Sequence, residues 1–599
     1  MREGMAVIQA CRRSNQSPWL PGLTRVAAGA TLLMLGSLNP ALAADAPPNS
    51  QQLQLIQRQQ EIIEQQERLR REELLRRQDP SRMAPGSTGV QVPLPPAEAP
   101  EQAQCFDIQR IELQGAEHLR DSDRTSLTKP YLGRCLGLPD IRELMRQLTN
   151  HYIDGGLVTT RVYIPQQDMS RGALTLLVVE GKVGAIELDG ENTGVNPEVA
   201  FPGVTGRVLN IRDIEQGLDQ INRLPSNSAR MELVPGSDPG LTNIRVFNQP
   251  GNPFNGGLTL DNYGSPSTGE YRLTANLGVD GPLGLHDAWF ASLSSNTDPD
   301  HSARLSESAL LSVNLPYGYW NLVGSVSRSR YVSEVSSASQ TFVSSGNTNT
   351  YSLGLQRVLT RDQTSKLTLT GTVNHKVSKN YIEGSLLTTG SPRLSDVTFN
   401  LTSVFLALGG SWSTDVGFSQ GTTWFGVEPL PNAGQDTVPT PRGKRLTASA
   451  THGRSWDIEG RTLSWSSSLQ GQYSPDYLYG SEQTSIGGLF TVRGYDGASI
   501  AGDRGMTWRN ELSSSFVVPG TENVIGRLLP YVAVDVGRIF GREGQRSGTL
   551  AGAALGLRAV GARVSFDVAV AKPLHTSPWV RRNFDVDKTA VYVKLGVAL

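Results

Sequence analysis

Beyond residue 44 no apolar run approaches the roughly 20 residues that a spanning helix needs. A membrane, if this chain crosses one, is crossed by strands. A basic excess is also missing: 55 Lys and Arg stand against 56 Asp and Glu, a formal net charge of −1. With aromatics at only 7%, that balance excludes the electrostatic footprint of a nucleic-acid binder. Catalytic signatures are absent as well. Gly497-Ala498-Ser499-Ile500-Ala501 lacks the final glycine of a nucleophile elbow. Gly443-Lys444-Arg445 lacks the hydroxyl residue and spacing of a P-loop, and the seven histidines are scattered with no His-Glu-x-x-His. No enzyme, metal or cofactor is expected, and any transport must draw on something other than nucleotide hydrolysis. Cysteine is scarce too, at three residues.

What is present begins with an export signal. Arg12, Arg13 and Arg25 precede an apolar run from Val26 to Leu38, and Ala41-Leu42-Ala43 offers a cleavage site, so 1–43 reads as a signal peptide. Cys11 leaves with it. Cys105 and Cys135 remain as an even pair in an oxidising compartment, where a bond between them is expected. Such a bond contributes about 3–4 kcal/mol on the chain-entropy account. Residues 44–78 are rich in Gln, Glu and Arg. Leu55, Ile62 and Leu69 recur there every seven residues, with Ile56 and Ile63 beside them, a narrow apolar stripe on a long polar helix. Asp79-Pro80 stops it, and 79–104 is a proline-rich, extended linker.

Residues 105–181 read as a compact α/β unit. A strand runs from Phe106 to Leu113, helices open near Ser122 and at Pro139–Ile153, and strands follow at Val158–Ile164 and Ala173–Val179. Residues 182–250 repeat the order in shortened form: strand Val183–Leu188, one helix at Ile211–Ile221, then strands Ala229–Val234 and Asn243–Phe247. The β-α-α-β-β order resembles a POTRA domain. His151, on the long helix, reads as a surface or packing residue.

From 251 to 599 the chain becomes a series of alternating segments broken by Gly, Pro, Asn and Asp. Val591, Val593, Leu595 and Val597 oppose Tyr592, Lys594 and Gly596; Val564, Phe566, Val568 and Val570 oppose Ser565 and Asp567. Period two with charge on one side only is the pattern of a lipid-facing, water-lumened β-barrel. At roughly 20 residues per strand and connection, the length fits about 16 strands. Along Tyr531–Gly537 the same period turns Val532, Val534 and Val536 to lipid and Tyr531, Ala533, Asp535 and Gly537 to the lumen. Leu599 stands where many outer-membrane barrels end in Phe.

Between two strand-like segments lies Ser485-Ile486-Gly487-Gly488-Leu489-Phe490-Thr491-Val492-Arg493-Gly494-Tyr495. Its Val492-Arg493-Gly494-Tyr495 resembles the loop signature of outer-membrane translocators that carry periplasmic POTRA domains. Asp535-x-Gly537 resembles the inner-wall motif that meets it. The whole chain resembles the two-partner secretion transporter (TpsB) family of haemolysin and filamentous-haemagglutinin type. That resemblance implies a Gram-negative outer membrane with the two POTRA domains in the periplasm and the 44–78 helix plugging the barrel pore. Its expected partners are a secreted, TpsA-like exoprotein (haemolysin- or adhesin-like) bound in extended form by the POTRA domains, outer-membrane lipid, and the barrel-assembly machinery. It also implies a loop folded back into the barrel, with Arg493 paired to Asp535, Gly494 and Gly537 permitting close approach, and Tyr495 packed beside them. Arg509 and Glu511 share a face by period, which makes Glu511 a rival partner. An insertase of the same superfamily is the alternative. A passive porin is less well served, because it has no use for the tandem repeat or the loop.

Overall fold

The computed structural model describes residues 105–599 except 191, 337–340, 389, 436, 460, 518–519, 521–525, 587–588 and 599. The expected signal peptide, 44–78 helix, 79–104 linker and terminal Leu599 lie outside the described residues.

The first unit contains β1 (Phe106–Ile108), β2 (Arg110–Gln114), α1 (Asp121–Thr128), β3 (Arg134–Leu136), α2 (Leu138–Asp154), β4 (Arg161–Tyr163) and β5 (Ala173–Val179). Ile141, Leu144, Leu148 and Tyr152 of α2 share a buried core with Leu174, Leu176 and Val178 of β5. The strand expected from Phe106 to Leu113 is two strands. β1 pairs antiparallel with β3, whereas β2 pairs parallel with β5. The change of partner falls at Gln109, whose backbone N–H, like that of Arg110, donates to Gly172 O. An alternating pattern carries no mark of such a switch, because the backbone stays extended through it. Cys105, just before β1, is disulfide-bonded to Cys135 of β3. β4 is shorter than the expected 158–164, since Val158 is spent elsewhere: it packs in the core of the second unit.

That second unit contains β6 (Lys182–Asp189), α3 (Pro197–Ala200), α4 (Ile211–Asn222), β7 (Arg230–Pro235) and β8 (Leu241–Phe247), in sheet order β6-β8-β7. It carries two helices where one was expected. The extra helix, α3, is a single turn capped by Asn196, whose Oδ1 accepts from the Val199 N–H at 3.3 Å. Four residues are too few to show a helical period.

From β9 (Phe254–Asp261) to β27 (Ala590–Ala598) the strands form a closed barrel. Sixteen of them are its staves. The two-residue β16 (Ser385–Leu386) merely pairs with the end of β15 (Ser365–Ile382), which also pairs directly with β17 (Arg393–Ala407). Closure leaves no edge whose backbone groups lipid would strand. Val532, Val534, Val536, Val591, Val593, Leu595 and Val597 are exposed on the outer face, as the period of two requires. No helix of the described residues is long and apolar enough to cross a membrane.

The second unit is docked on the turns that join barrel strands at the N-terminal end. From α4, Gln216 and Gln220 donate to Gly318 O at 3.1 and 2.7 Å. Buried Arg361 reaches Glu215 and Asp219, and the Tyr319 hydroxyl donates to Asp213 Oδ1 at 2.7 Å. Arg223 donates to His286 O at 2.7 Å, while His286 Nε2 accepts from the Asn196 N–H at 2.9 Å.

Candidate functional site

β20 (Arg461–Tyr473) and β23 (Gly505–Val517) are neighbours in the barrel, and the chain between them does not stay outside. It forms a small hairpin, β21 (Thr484–Ile486) with β22 (Ile500–Gly502), whose tip turns at Gly487 (φ 114°) and Gly488 (φ 96°). Ile486, Val492, Tyr495, Ala498 and Ile500 bury one side of this loop against Ile539 and Leu550 of the wall. Val580, in the short helix α5 (Pro578–Asn583), belongs to the same cluster. The loop therefore has its own apolar contact with the barrel interior.

The wall beneath it is built from β23, β24 (Arg527–Ile539) and β25 (Gly548–Val560). Their register sets Arg509, Asp535 and Gly552 side by side, with Glu511, Ala533 and Ala554 in the next inward row. Arg493 is 2% exposed and Asp535 0%. The guanidinium meets the carboxylate twice, Nε to Oδ2 at 2.6 Å and Nη2 to Oδ1 at 2.8 Å, and the Arg493 backbone N–H adds a third bond to Oδ2 at 3.1 Å. Such a two-pronged contact fixes orientation as well as charge. Glu511 is a simultaneous partner and not a rival: Arg493 Nη1 donates to its Oε2 at 3.0 Å.

The network extends further than the sequence indicated. Arg558 of β25 joins Glu511 to Asp567 of β26 (Val564–Thr576), donating to their carboxylates at 3.1 and 2.9 Å. Arg509 lies 3.7 Å from Asp535 and donates to Phe490 O and Leu489 O of the loop at 2.8 and 3.1 Å. Arg493, Arg509 and Arg558 thus stand against Asp535, Glu511 and Asp567, a balanced set, which is the condition under which buried charge is tolerated. Tyr495 is fully buried, and its hydroxyl, with one proton to donate, lies within hydrogen-bond reach of two carbonyl oxygens, Ala551 O at 3.0 Å and His575 O. Val492 packs over Gly537, where a Cβ would sit 2.9 Å from its Cγ2.

Gly552 was missed. A Cβ there would lie 1.8 Å from Arg493 O, so the loop backbone rests directly on this glycine. The signal was the inward series Gly552, Ala554, Gly556 on one strand, since small residues in a strand mark close approach of another backbone. His151 is paired with Asp123 at 3.4 Å. Among the described residues no group of three or more His, Cys, Asp and Glu is placed to hold a metal.

Residues 240–559 match the family described as haemolysin secretion/activation protein ShlB/FhaC/HecB. Residues 106–181 match the ShlB-type POTRA domain, and 182–235 match a POTRA domain. The chain is 34% identical to the outer membrane transporter CdiB of Dickeya dadantii, over 82% of this chain and 87% of that one. It is 33% identical to the hemolysin transporter protein ShlB of Serratia marcescens, over 75% and 78%. The solved structure of CdiB from Escherichia coli superposes with a TM-score of 0.79 at 32% identity, covering 90% of this chain and 98% of that one. The chain belongs to the ShlB/FhaC/HecB family, the outer-membrane β-barrel transporters of two-partner secretion.

Proposed function

We propose that this transporter passes one partner exoprotein outward through its barrel, and that anchorage of the loop by Arg493 is required for that passage. The observation that carries the reading is the buried contact of Arg493 with Asp535 and Glu511 inside the lumen. A passive channel has no need to bury a cation there. Removing one member of a buried pair strands the other, at a cost of about 3–5 kcal/mol.

The POTRA domains receive the exoprotein in extended form. β7 has β8 on one side and no strand on the other among the described residues, so it offers an open edge. An added strand gains affinity from main-chain bonds and selectivity from alternate side chains. Residues 44–78 plug the lumen at rest. The barrel-assembly machinery inserts the chain, and outer-membrane lipid covers the valine rows of β24 and β27.

Co-expression with a candidate exoprotein, scored by its amount in the medium, tests the reading. Arg493→Ala and Asp535→Ala should each cut that amount by roughly tenfold or more, the effect of losing at least about 1.4 kcal/mol. Folded barrel should still reach the outer membrane in both. Parent-level secretion by both variants would remove the anchorage from the mechanism.

A further inference from the structure

The loop is held at a second place, upstream of Arg493. Glu482 ends the 3-10 turn Gly480–Glu482, through which the chain passes to β21. Two cations of the inner wall grip its carboxylate. Lys376 of β15 donates from Nζ to Oε1 at 2.9 Å, and Arg445 of β19 (Lys444–Ile458) donates from Nη1 to Oε2. The same wall holds the backbone: Gln472 of β20 donates to Glu482 O at 3.0 Å, and Lys376 to Ser481 O at 3.4 Å. The side chains of Lys376, Arg445 and Glu482 are only 12%, 15% and 19% exposed. Solvent therefore screens these charges weakly.

Their place on the barrel gives them meaning. β17, β18 (Gly410–Thr422), β19, β20 and β23 all stand between Lys376 on β15 and Asp535 on β24. In a barrel of sixteen staves that is more than a third of the circumference. Between the two holding points lie Gly487 and Gly488, both at positive φ, a joint at which the backbone is freest to turn. Without the Glu482 contact the first limb would keep its packing at Ile486 and its pairing with β22, but the turn at 480–482 would lose its hold on β15 and β19. Both anchors together make the loop a strut across the lumen.

We propose that Glu482 is a positioning residue of the pore: with Lys376 and Arg445 it forms a second latch, separate from the Arg493 cluster, that holds the first limb of the loop across the lumen and sets how often the pore opens. The inference rests on the reading of the barrel as a secretion pore. Its test follows backbone exchange and ion current, not cargo, so the two fail separately.

Hydrogen–deuterium exchange on the full-length protein in lipid nanodiscs reads the latch. Glu482→Gln keeps the shape and removes the charge, and Lys376→Met removes one wall cation. Exchange across 478–486 should rise by about tenfold in each, the signature of local opening. It should rise no further in the double variant, because the two residues act as one contact. Lys376→Arg should stay at the parent rate, and segment 490–496 should be unaltered throughout. In planar bilayers in potassium chloride the loosened variants should open more often. Parent-rate exchange in Glu482→Gln, or additive effects in the double variant, overturns the latch. Looser exchange with parent-like current overturns its control of the pore. Should Glu482→Gln not assemble, Gln472→Ala removes only a neutral bond and should loosen the same segment more weakly; no loosening there overturns the proposal equally.

Discussion

Asp535 is approached by arginine from two directions, Arg493 in the loop at 2.6 Å and Arg509 on the neighbouring strand at 3.7 Å. Arg493 in turn keeps a second carboxylate, Glu511. Exchanging the pair, Arg493→Asp with Asp535→Arg, would set a new cation beside Arg509 and a new carboxylate beside Glu511. Like charges at about 4 Å repel by roughly 4 kcal/mol at an effective dielectric near 20. The exchange is therefore expected to leave secretion as low as either single substitution, and recovery would show that the pair acts as an isolated attraction. Gly552→Ala tests the same contact through shape. Its Cβ would fall 1.8 Å from Arg493 O, so the loop must lift, and secretion should drop with the barrel intact; Gly471→Ala, whose nearest atom is 3.8 Å away, should be neutral. Period two turned Asp535 and Gly537 to the lumen and flagged Glu511, while the resemblance of the Val492–Tyr495 loop to the family supplied their pairing with Arg493. Gly552 left a trace in the series Gly552, Ala554, Gly556, but which loop residue it meets, like the link from Glu511 through Arg558 to Asp567, depends on the register of further strands, which a single sequence does not carry.

Elements were legible where the period ran long and illegible where it was interrupted. The seven-residue β5 and the seventeen-residue α2 announce themselves, whereas the four-residue α3 does not, and the β1–β2 break hides inside continuous alternation. The docking of α4 on the barrel turns was not legible at all, since it joins residues far apart in sequence. One contact of the same docked unit, made by Asn196 at the cap of α3, involves a titratable group. His286 sits in the turn between β10 (Arg272–Asp280) and β11 (Ala288–Asn296), with φ 54°, and accepts from the Asn196 N–H. Burial pushes its imidazole pKa down, so the docked form resists a proton that a free histidine would take. The sign follows. Above about pH 6.5, the ordinary histidine value, both forms are neutral and the contact is at full strength. As pH falls below that value the undocked form gains protons first, and docking weakens until the folded pKa is passed. Exchange in α4 should therefore quicken between neutral and mildly acid pH. His286→Asn, a residue suited to the left-handed backbone here, should flatten that dependence; an unchanged pH profile in this variant would assign the sensitivity to other groups.

At the scale of the whole molecule the barrel was the most legible feature, because valine rows such as Val591, Val593, Leu595 and Val597 are repeated strand after strand, each constraining the next. How the ring closes was not legible. β27 meets β9 through five residue pairs, Lys594↔Asp261 to Ala598↔Gly257, whereas β24 meets β25 through thirteen. Among the described residues this ladder has the fewest register pairs between two staves, although Asn262 adds bonds to Val591 and Val593 beyond it. A barrel that released clients sideways into lipid would have to part strands, and this seam is where it would do so. A barrel that passes its exoprotein along the lumen keeps every ladder closed. Thr259 and Gly596 are register partners across the seam; a Cβ on Gly596 would lie 3.7 Å from Thr259 Oγ1 and 2.7 Å from Ser565 Oγ, a hydroxyl that must rotate aside. As antiparallel register partners they stand about 4.5–5.5 Å apart at Cα, inside the roughly 4.4–6.8 Å that a disulfide spans. Thr259→Cys with Gly596→Cys, oxidised and verified by its shift on a denaturing gel, should secrete the exoprotein at the level of the parent. Loss of secretion confined to the cross-linked form would mean that the exoprotein's route runs through the β9–β27 seam, and the insertase-like mechanism would then replace passage along the lumen.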